Sequence, residues 1–436
     1  MMICACLLST VVVFQDERIA SEPEQQWTRR VDGENIASLE VVSRKYVAEG
    51  LPSVWLVGVA HIADLSFYDQ VAALLEGLDV VLYESVRPTG SRPPMGDTHE
   101  ERVASTKKSL KFISDTAAAT AKEMDIYPMT MEDVIADASI LDTRLSGWLD
   151  DVAIDAWGNP IVLHVDEDSG EMTCMSYGAD GKVGGQHEAS DLIERRTVSI
   201  AQLEEEVTEE ELELELVEDE TDPSNLQAAM AETLGLAFQL DSLPYEEPHW
   251  FVSDLTIDEV QVKLEENGAD TTLLETLSGE SFAAKLAEGV MQIVPMLDAL
   301  SGGGATATAR LLMIEVLSMA DNDQMIAGIG EGLQQVIIVD RNTEVLTDLA
   351  TIIDATEDVS SIGILYGAGH MSDLAHRMET LFGYQPVEDR WFSSMRVDPR
   401  ESLLSEGDMT RMRFMLKYQM YKSQEAQSEE TDAKKE

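Results

Sequence analysis

Two histidines of this sequence stand in the same short pattern, Gly-x-x-His, at residues 58–61 and 367–370. Each pattern follows an apolar run, VWLV in the first case and ILY in the second. Glycine permits backbone turns with positive φ and lets a ligand approach the main chain closely. The pattern therefore predicts that His61 and His370 meet a ligand or a metal. The glycines predicted to turn the backbone are Gly58, Gly367 and Gly369.

A carboxylate and a guanidinium occupy comparable places in the sequence. Glu84 follows VVLY, and Arg341 follows VIIVD. Two neutral imidazoles and one carboxylate form a usual ligand set for a divalent transition metal that keeps one position open for water. Such a metal lowers the pKa of the water and polarises a carbonyl group. We therefore predict a catalytic site of His61, Glu84, His370 and Arg341, in which the first three hold Mn, Co or Zn.

Three residues are predicted to contact the substrate. Arg341 and the neighbouring Asn342 would hold a substrate carboxylate or an oxyanion, and His249, in a loop, is a further candidate. In an alternative without a metal, His61 acts as general base on a water molecule and Glu84 orients it. In a purely structural alternative, the histidines are capping or packing groups and Arg341 with Asn342 begins a helix.

Four short apolar runs would have to position these groups, and each is followed by a polar residue. The runs are residues 54–59, 80–83, 336–339 and 362–366. They have the length and composition of strands buried on both faces of a parallel sheet, and helical spacing follows them. Repetition of this order predicts an α/β fold. Because binding sites in such sheets form at the carboxyl ends of the strands, we expect the predicted site residues to meet at one edge.

The composition of the sequence changes between the second and third of these runs. Residues 151–192 carry Gly-Asn-Pro, Asp-Ser-Gly-Glu and Ala-Asp-Gly turns between short strands at 160–165 and 172–177, which predicts a small hairpin-rich α+β insert. The predicted division is a signal peptide or anchor at 1–20, an α/β body at 28–140 and 224–400, the insert at 141–200, an acidic linker at 201–223, and a charged tail at 401–436 that is disordered at its end. A fraying edge strand at 212–216 is the alternative to a solvated linker.

The charge of the chain restricts its partners. The 436 residues include 30 Lys and Arg against 83 Asp and Glu, for a net charge of −53. Phosphates of nucleic acids and anionic membranes repel such a polyanion, so neither is an expected partner. Divalent cations and neutral or cationic substrates suit it, as does a salty medium. The apolar run that ends at Phe14 is too short to span a bilayer and resembles part of a signal peptide, although no basic residue precedes it. This predicts export to the periplasm, envelope or medium, and no other segment has the composition of a transmembrane helix.

Two resemblances sharpen these expectations. The stretches GVAHIADLSFYDQVAALLEGLDVVLYES, VDRN and YGAGHMSDLAHRMETLFGYQP resemble the TraB/PrgY/GumN/Tiki family. The resemblance implies a fold related to the erythromycin-esterase and ChaN-like proteins. It also implies, as for some Tiki members, a divalent-metal-dependent protease. His61, Glu84 and His370 match the metal or catalytic positions, and Arg341 matches the arginine.

The insert is similar to another family. The stretch DAWGNPIVLHVDEDSGEMTCMSYGADGKVGG is similar to the C-terminal domain of the type II secretion major pseudopilin, whose glycine-rich loop binds calcium. The resemblance implies a Ca²⁺ site with Asp180 and Asp191 as ligands, joined by Glu188; hard oxygen ligands on a flexible loop suit Ca²⁺. A glycine-rich hairpin without metal is the alternative. The usual long apolar pilin helix is missing, so assembly into a pilus in the normal way is not expected.

Together these patterns predict an exported hydrolase that cleaves a peptide or a related amide or ester through a metal-activated water. Two alternatives belong to other classes. One is a binding protein of the cell envelope that sequesters a peptide signal or a haem-like ligand. The other is an envelope or secretion-associated interaction protein that uses the pilin-like insert.

Overall fold

The computed structural model describes residues 26–200, 231–268, 304–319, 331–355, 358–405, 407–411 and 413–414. The predicted signal peptide, the acidic linker and most of the charged tail lie outside these ranges. The chain divides into two compact units. The first unit comprises Met1–Glu84, Thr221–Leu243 and Thr272–Glu436, and the second comprises Ser85–Glu220 and Pro244–Thr271.

The described strands are β1 (Thr28–Asp32), β2 (Ala37–Val47), β3 (Ser53–Val59), β4 (Ile62–Ala63), β5 (Val80–Tyr83), β6 (Val162–Asp166), β7 (Glu171–Ser176), β8 (Leu192–Thr197), β9 (Ala237–Phe238), β10 (Trp250–Val252), β11 (Ser361–Gly367) and β12 (Gln385–Val397). The described helices are α1 (Leu65–Leu75), α2 (His99–Met124), α3 (Met131–Leu141), α4 (Thr143–Asp151), α5 (Gln239–Ser242), α6 (Ile257–Glu266), α7 (Gly304–Met319), α8 (Glu331–Gln334), α9 (Arg341–Ala355) and α10 (Met371–Phe382).

The sheet of the first unit is mixed. Strand β11 lies between β3 and β5 and is parallel to both, with Ile364 opposite Leu56 on one side and Leu82 on the other. Strand β2 is antiparallel to β3, to β1 and to β12. The predicted α/β class is therefore confirmed, with a parallel centre and antiparallel strands beside it. The carboxyl ends of β3, β5 and β11 meet at one edge, because Gly367 is paired with Val59 and Leu365 with Tyr83.

Helices cover both faces of this parallel centre. On one face, alternate residues of the strands pack against α9 and α10. The apolar stripe of α10 consists of Met371, Leu374, Ala375 and Met378, which recur at helical spacing. On the other face, Gly363 faces α1: a Cβ atom there would lie 2.8 Å from Leu75 Cδ2. The missing side chain thus lets α1 approach the middle of the sheet, which fixes the strands that carry the site.

The prediction of a fourth strand at residues 336–339 is wrong. Residues Gln335–Asp340, which contain VIIV, form a π-helix that continues directly into α9. A short β-branched run fits a buried strand and a buried helix equally well by pattern, and here Val336 and Ile338 are buried from within a helix. Arg341 therefore opens a helix after a π-turn, and does not follow a strand.

The second unit is built from α2, α3 and α4 with the antiparallel sheet β6–β7–β8. Both predicted hairpin strands are present, within about two residues of their predicted ends. The apolar side of α2, with Leu110, Ile113 and Ala117, shares a core with Leu163, Met172 and Cys174 of the sheet. Residues 85–140 accordingly group with the hairpins, whereas the sequence-based division placed them in the α/β body.

Helices α2 and α3 both begin with a complete capping box, Thr98 with Glu101 and Thr130 with Asp133. Each box satisfies two backbone N–H groups that would otherwise lack a partner. Across the part of the chain described by the structure, none of the helices combines the length and apolar character needed to cross a bilayer.

Candidate functional site

Three of the predicted site residues meet in the first unit around one carboxylate. Glu84 follows β5, and its Oε1 accepts a hydrogen bond from an Nη atom of Arg341 at 2.8 Å. The Nε2 atom of His370 lies 3.4 Å from the same Oε1. The Oε2 atom accepts a hydrogen bond from the backbone N–H of Gly367 at 2.6 Å. Both carboxylate oxygens are thus held, one by side chains and one by the main chain.

These groups are largely removed from solvent. The exposed fractions of the Glu84, Arg341 and His370 side chains are 11%, 8% and 6%. Burial raises the pKa of Glu84, but the charge of Arg341 and the neighbouring rings of His370 and His61 lower it by more, so the pKa lies well below its ordinary value. Glu84 is therefore a carboxylate at neutral pH and is suited to bind a cation, not to donate a proton.

Asn342 fixes the ring of His370. The Nδ2 group of Asn342 donates to the backbone oxygen of His370 at 3.1 Å and to Asp373 Oδ2 at 2.8 Å. Both partners accept, so the amide orientation is determined, and the opposite atom, Oδ1, faces His370 Nδ1 at 2.8 Å. Nδ1 must therefore carry a proton and donate it to Asn342. Asn342 is fully buried and bonds protein groups at both ends of its amide, which differs from the predicted contact with a substrate.

His61 helps to lower the pKa of Glu84 but is itself exposed. It follows β3, and its Nδ1 atom lies 3.1 Å from Oε1 of Gln239, whose backbone N–H also donates to the His61 backbone oxygen at 2.9 Å. Within the described ranges, no three side chains of the types His, Cys, Asp and Glu form a group arranged to hold a metal ion. The structure thus brings His370 and Glu84 into contact, whereas the hydrogen bond given for the His61 ring is to Gln239.

The glycines predicted to turn the backbone have a different role in the structure. Positive φ angles do not occur at Gly58, Gly367 or Gly369. A Cβ atom on Gly367 would lie 3.2 Å from Glu84 Oε2, and one on Gly58 would lie 3.0 Å from Val41 Cγ1. These two glycines therefore provide space, in the case of Gly367 for the carboxylate itself, and not a left-handed backbone.

His249, predicted to bind substrate, belongs to the second unit. Its ring centroid is 6.4 Å from that of Trp250 at 80°. Its Nε2 atom is buried and makes no hydrogen bond among the described residues. Packing is thus the contact that the structure gives for this residue, and its role in substrate binding stays a prediction.

The predicted calcium loop, residues 176–191, also lies in the second unit. Asp191 Oδ2 accepts the backbone N–H of Gly184 at 2.8 Å, whereas its Oδ1 is buried without a hydrogen-bond partner among the described residues. Asp180 Oδ1 accepts the backbone N–H of Lys182 at 3.1 Å. The side chain of Glu188 lies outside the described part of the structure. An unpartnered buried carboxylate oxygen is the arrangement that a bound cation would complete.

Buried Asp155 organises the start of this loop. Its Oδ2 accepts the hydroxyl of Ser176 at 2.6 Å, and its Oδ1 accepts the backbone N–H groups of Trp157 and Asn159. Asn159 in turn donates from Nδ2 to the backbone oxygen of Gly178 at 2.8 Å. The WGNP segment is therefore tied to the glycine-rich loop through side chains.

Sequence reasoning missed Gln239, Asp373 and Arg377, which support the two histidines. Gln239 lies in a four-residue helix without a periodic pattern. Asp373 stands three residues after His370, where an acidic residue in the first turn of a helix needs no further explanation. Only the position of Arg377, four residues later on the same helix, gives a local signal, as an i,i+4 pair with Asp373.

Comparison with known protein families identifies a match in the second unit. Residues 95–195 match the family described as type II secretion system (T2SS), protein G. No curated protein and no solved structure matches the chain. The matched segment begins before α2 and ends in β8, so it includes a long helix. That helix carries Glu100 and Glu101 in its first turn and Lys122 in its last turn, unlike an apolar pilin helix. Residues 95–195 are thus similar to protein G of the type II secretion system, which suggests an envelope- or secretion-associated protein and is consistent with export.

Proposed function

We propose that the first unit is a metal-dependent hydrolase that acts on a peptide or on a related amide or ester. The observation that carries this proposal is the orientation of His370. Because Nδ1 donates to Asn342, a neutral imidazole turns the lone pair of Nε2 toward Glu84 Oε1, 3.4 Å away. A lone pair and a carboxylate oxygen repel each other unless a cation or a proton lies between them.

The 3.4 Å distance between His370 Nε2 and Glu84 Oε1 supports a metal ion shared by the two residues. Two ligands about 2.0–2.2 Å from one tetrahedral ion are about 3.4 Å apart. His370 Nε2 and Glu84 Oε1 would therefore hold Mn, Co or Zn, and His61 would be the third ligand. When bound, such a metal polarises a carbonyl and lowers the pKa of a water molecule. The resemblance of the flanking segments to the TraB/PrgY/GumN/Tiki family supports the same assignment.

The protein groups around the ion would have separate tasks. Glu84 would supply negative charge, since its pKa is held well below the ordinary value. Arg341 would place a buried positive charge beside the carboxylate, where it limits the net charge of the site and attracts a substrate carboxylate or an oxyanion. Gly367 would fix the second oxygen of Glu84 through its N–H group.

Metal binding tests the proposal. Purified protein is stripped with chelator, loaded with Mn, Co or Zn, and analysed for bound metal by mass spectrometry. We expect His370→Ala and His61→Ala to lose the metal, and His376→Ala, an exposed histidine on α10, to keep it. A peptide-cleavage screen of the loaded protein then separates hydrolysis from binding without turnover. Absence of metal from the wild-type protein, or equal metal content in all variants, would overturn the proposal.

A second function is favoured for the second unit. We propose a calcium-stabilised module of the kind found in type II secretion pseudopilins, because residues 95–195 match protein G and Asp191 leaves one buried oxygen without a partner. Ca²⁺ would raise the melting temperature of the wild-type protein. Asp191→Asn and Asp180→Ala would abolish that shift, whereas Asp168→Asn, an exposed aspartate in the β6–β7 turn, would retain it. An identical shift in all four proteins would exclude this site.

A further inference from the structure

We infer that Gln239 and Asn342 are matched positioning residues that accept the Nδ1–H of His61 and His370, so that Nε2 is the ring atom that each histidine turns toward the site. The inference rests on the proposed function only in regarding these histidines as site residues. Neither amide is required to touch a substrate. Their role is to act through the rings that they bind.

Each histidine is bound twice by one amide residue. Asn342 bonds the backbone oxygen of His370 through Nδ2 and the ring Nδ1 through Oδ1. Gln239 bonds the backbone oxygen of His61 through its own backbone N–H and the ring Nδ1 through Oε1. In both cases one bond fixes the main chain of the histidine and the other fixes its ring. Such a pair of contacts determines both the position and the rotation of the imidazole.

Both amides are placed where water does not compete. Asn342 is fully buried and Gln239 is 3% exposed. A buried amide oxygen that lost its N–H donor would be costly. The acceptor therefore favours the tautomer that protonates Nδ1, which is the arrangement by which proteins prepare Nε2 for a metal.

The two amides are supported differently. Asp373 accepts from Asn342 Nδ2, and Arg377 donates from Nε to Asp373 Oδ1 at 3.1 Å and from an Nη atom to Thr343 Oγ1 at 2.8 Å. This chain of bonds connects α9 with α10 and fixes Asn342 from outside. The backbone N–H of Gln239 joins the main chain of its helix to that of His61.

The tautomers are measurable without any activity. Full-length protein labelled with ¹⁵N-histidine is stripped of metal, and ring nitrogens are assigned by comparison with His61→Ala and His370→Ala. The ¹⁵N chemical shifts separate protonated from unprotonated ring nitrogens. We expect Nδ1 to carry a proton in both residues of the wild-type protein.

Variants then test each amide. Gln239→Met removes the acceptor at similar size and should convert His61 alone to the Nε2–H form, which free imidazole side chains favour in water. Gln239→Glu keeps an acceptor and should restore the Nδ1–H form. Asn342→Leu should convert His370 alone. Gln70→Met, at an exposed position on α1, should change neither histidine.

The outcomes are distinct from those of the metal experiment. An unprotonated Nδ1 at either histidine of the wild-type protein, or an unchanged His61 spectrum in Gln239→Met, would overturn the positioning role. If Asn342→Leu does not fold, the Gln239 variants still decide the question for the matched pair. If the tautomers behave as expected and no metal binds, the positioning role stands and the proposed hydrolase fails.

Discussion

The Nε2 atom of His370 and the Nη group of Arg341 converge on one oxygen, Oε1 of Glu84, at 3.4 Å and 2.8 Å. Glu84 follows β5, His370 follows β11, and Arg341 opens α9. The carboxylate is consequently the group on which three separate elements of the first unit meet. Its removal should affect both stability and chemistry.

Glu84→Gln should destabilise the first unit. The change leaves the buried guanidinium of Arg341 without its counter-charge, and breaking a buried ion pair in this way costs about 3–5 kcal/mol. Equilibrium unfolding in urea measures the loss. Glu76→Gln, at an exposed position after α1, is the control and should stay within about 0.5 kcal/mol of the wild type.

The double variant Glu84→Leu with Arg341→Met shows whether the instability of Glu84→Gln comes from an uncompensated charge or from lost packing. Replacement of both members of a buried ion pair by apolar groups of similar volume is often neutral or stabilising. We expect its stability to lie near that of the wild type while metal binding is lost. A double variant as unstable as Glu84→Gln would show that the pair contributes more than compensated charge.

Gly367→Ala should weaken the site with little effect on the fold. The added Cβ atom would lie 3.2 Å from Glu84 Oε2 and would push the carboxylate from the backbone N–H that holds it. Loss of a bond that orients a ligating group typically costs about 10–100-fold in metal affinity. Metal titration checks this, with Gly77→Ala as control, because a Cβ atom there has no neighbour within 4 Å. Equal affinities for the two variants would contradict the contact.

Asp79 should make stability depend on acid pH. Its Oδ2 accepts four hydrogen bonds from the backbone and hydroxyl groups of Ser360 and Ser361, at the start of β11. The side-chain bond of Ser360 is the largest cause that lowers the pKa of Asp79 from 3.8 to about 2. A depressed pKa in the folded state gives stability that is present above 3.8 and is lost as the pH falls through about 2.

Asp79→Asn should therefore be less stable than the wild type at neutral pH, and the difference should disappear between pH 3.8 and about 2. Urea midpoints at a series of pH values measure it. Asp69→Asn, at an exposed position on α1, should show no comparable change. A constant difference between Asp79→Asn and the wild type at every pH would mean that the carboxylate does not titrate in this way.

Gly185→Ala should disrupt the predicted calcium loop. Gly185 has φ +130°, and a Cβ atom there would lie 2.0 Å from the backbone oxygen of Ala189. We expect lower thermal stability and loss of the Ca²⁺-dependent shift. Gly147→Ala, in the interior of α4 with no neighbour within 4 Å, should stabilise by about 0.5–1 kcal/mol and retain the shift. A stable Gly185→Ala protein with a normal shift would contradict the loop geometry.

Much of the candidate site could be predicted because parallel strands end at one edge. The runs at 54–59, 80–83 and 362–366 have strand length and near-continuous apolar character, and all three are strands in the structure. The contact between Glu84 and His370 follows from that topology. The strand predicted at 336–339 is absent, because a four-residue apolar stretch has no periodicity that distinguishes a strand from a helix.

The supporting residues could not be predicted for a different reason. Gln239 and His61 are 178 positions apart, and Asn342 and His370 are 28 apart. Their pairing depends on how helices are placed on the sheet, which local propensity does not determine. The role of α2 was missed similarly, because its apolar side matches a hairpin sheet that follows it by about 40 residues.

The position of β11 between β3 and β5 has a consequence for how the protein is made. Strands β3 and β5 are made before β11 and have no direct pairing with each other in this sheet order. Each is bonded to β11, which emerges about 300 residues after β3. During synthesis from the N-terminus, the parallel centre can close only once residue 367 is available. The second unit, whose α2 and three-stranded sheet are made in between, can fold earlier from neighbouring segments. The contact between Glu84 and His370 is therefore absent from the nascent chain until late in translation.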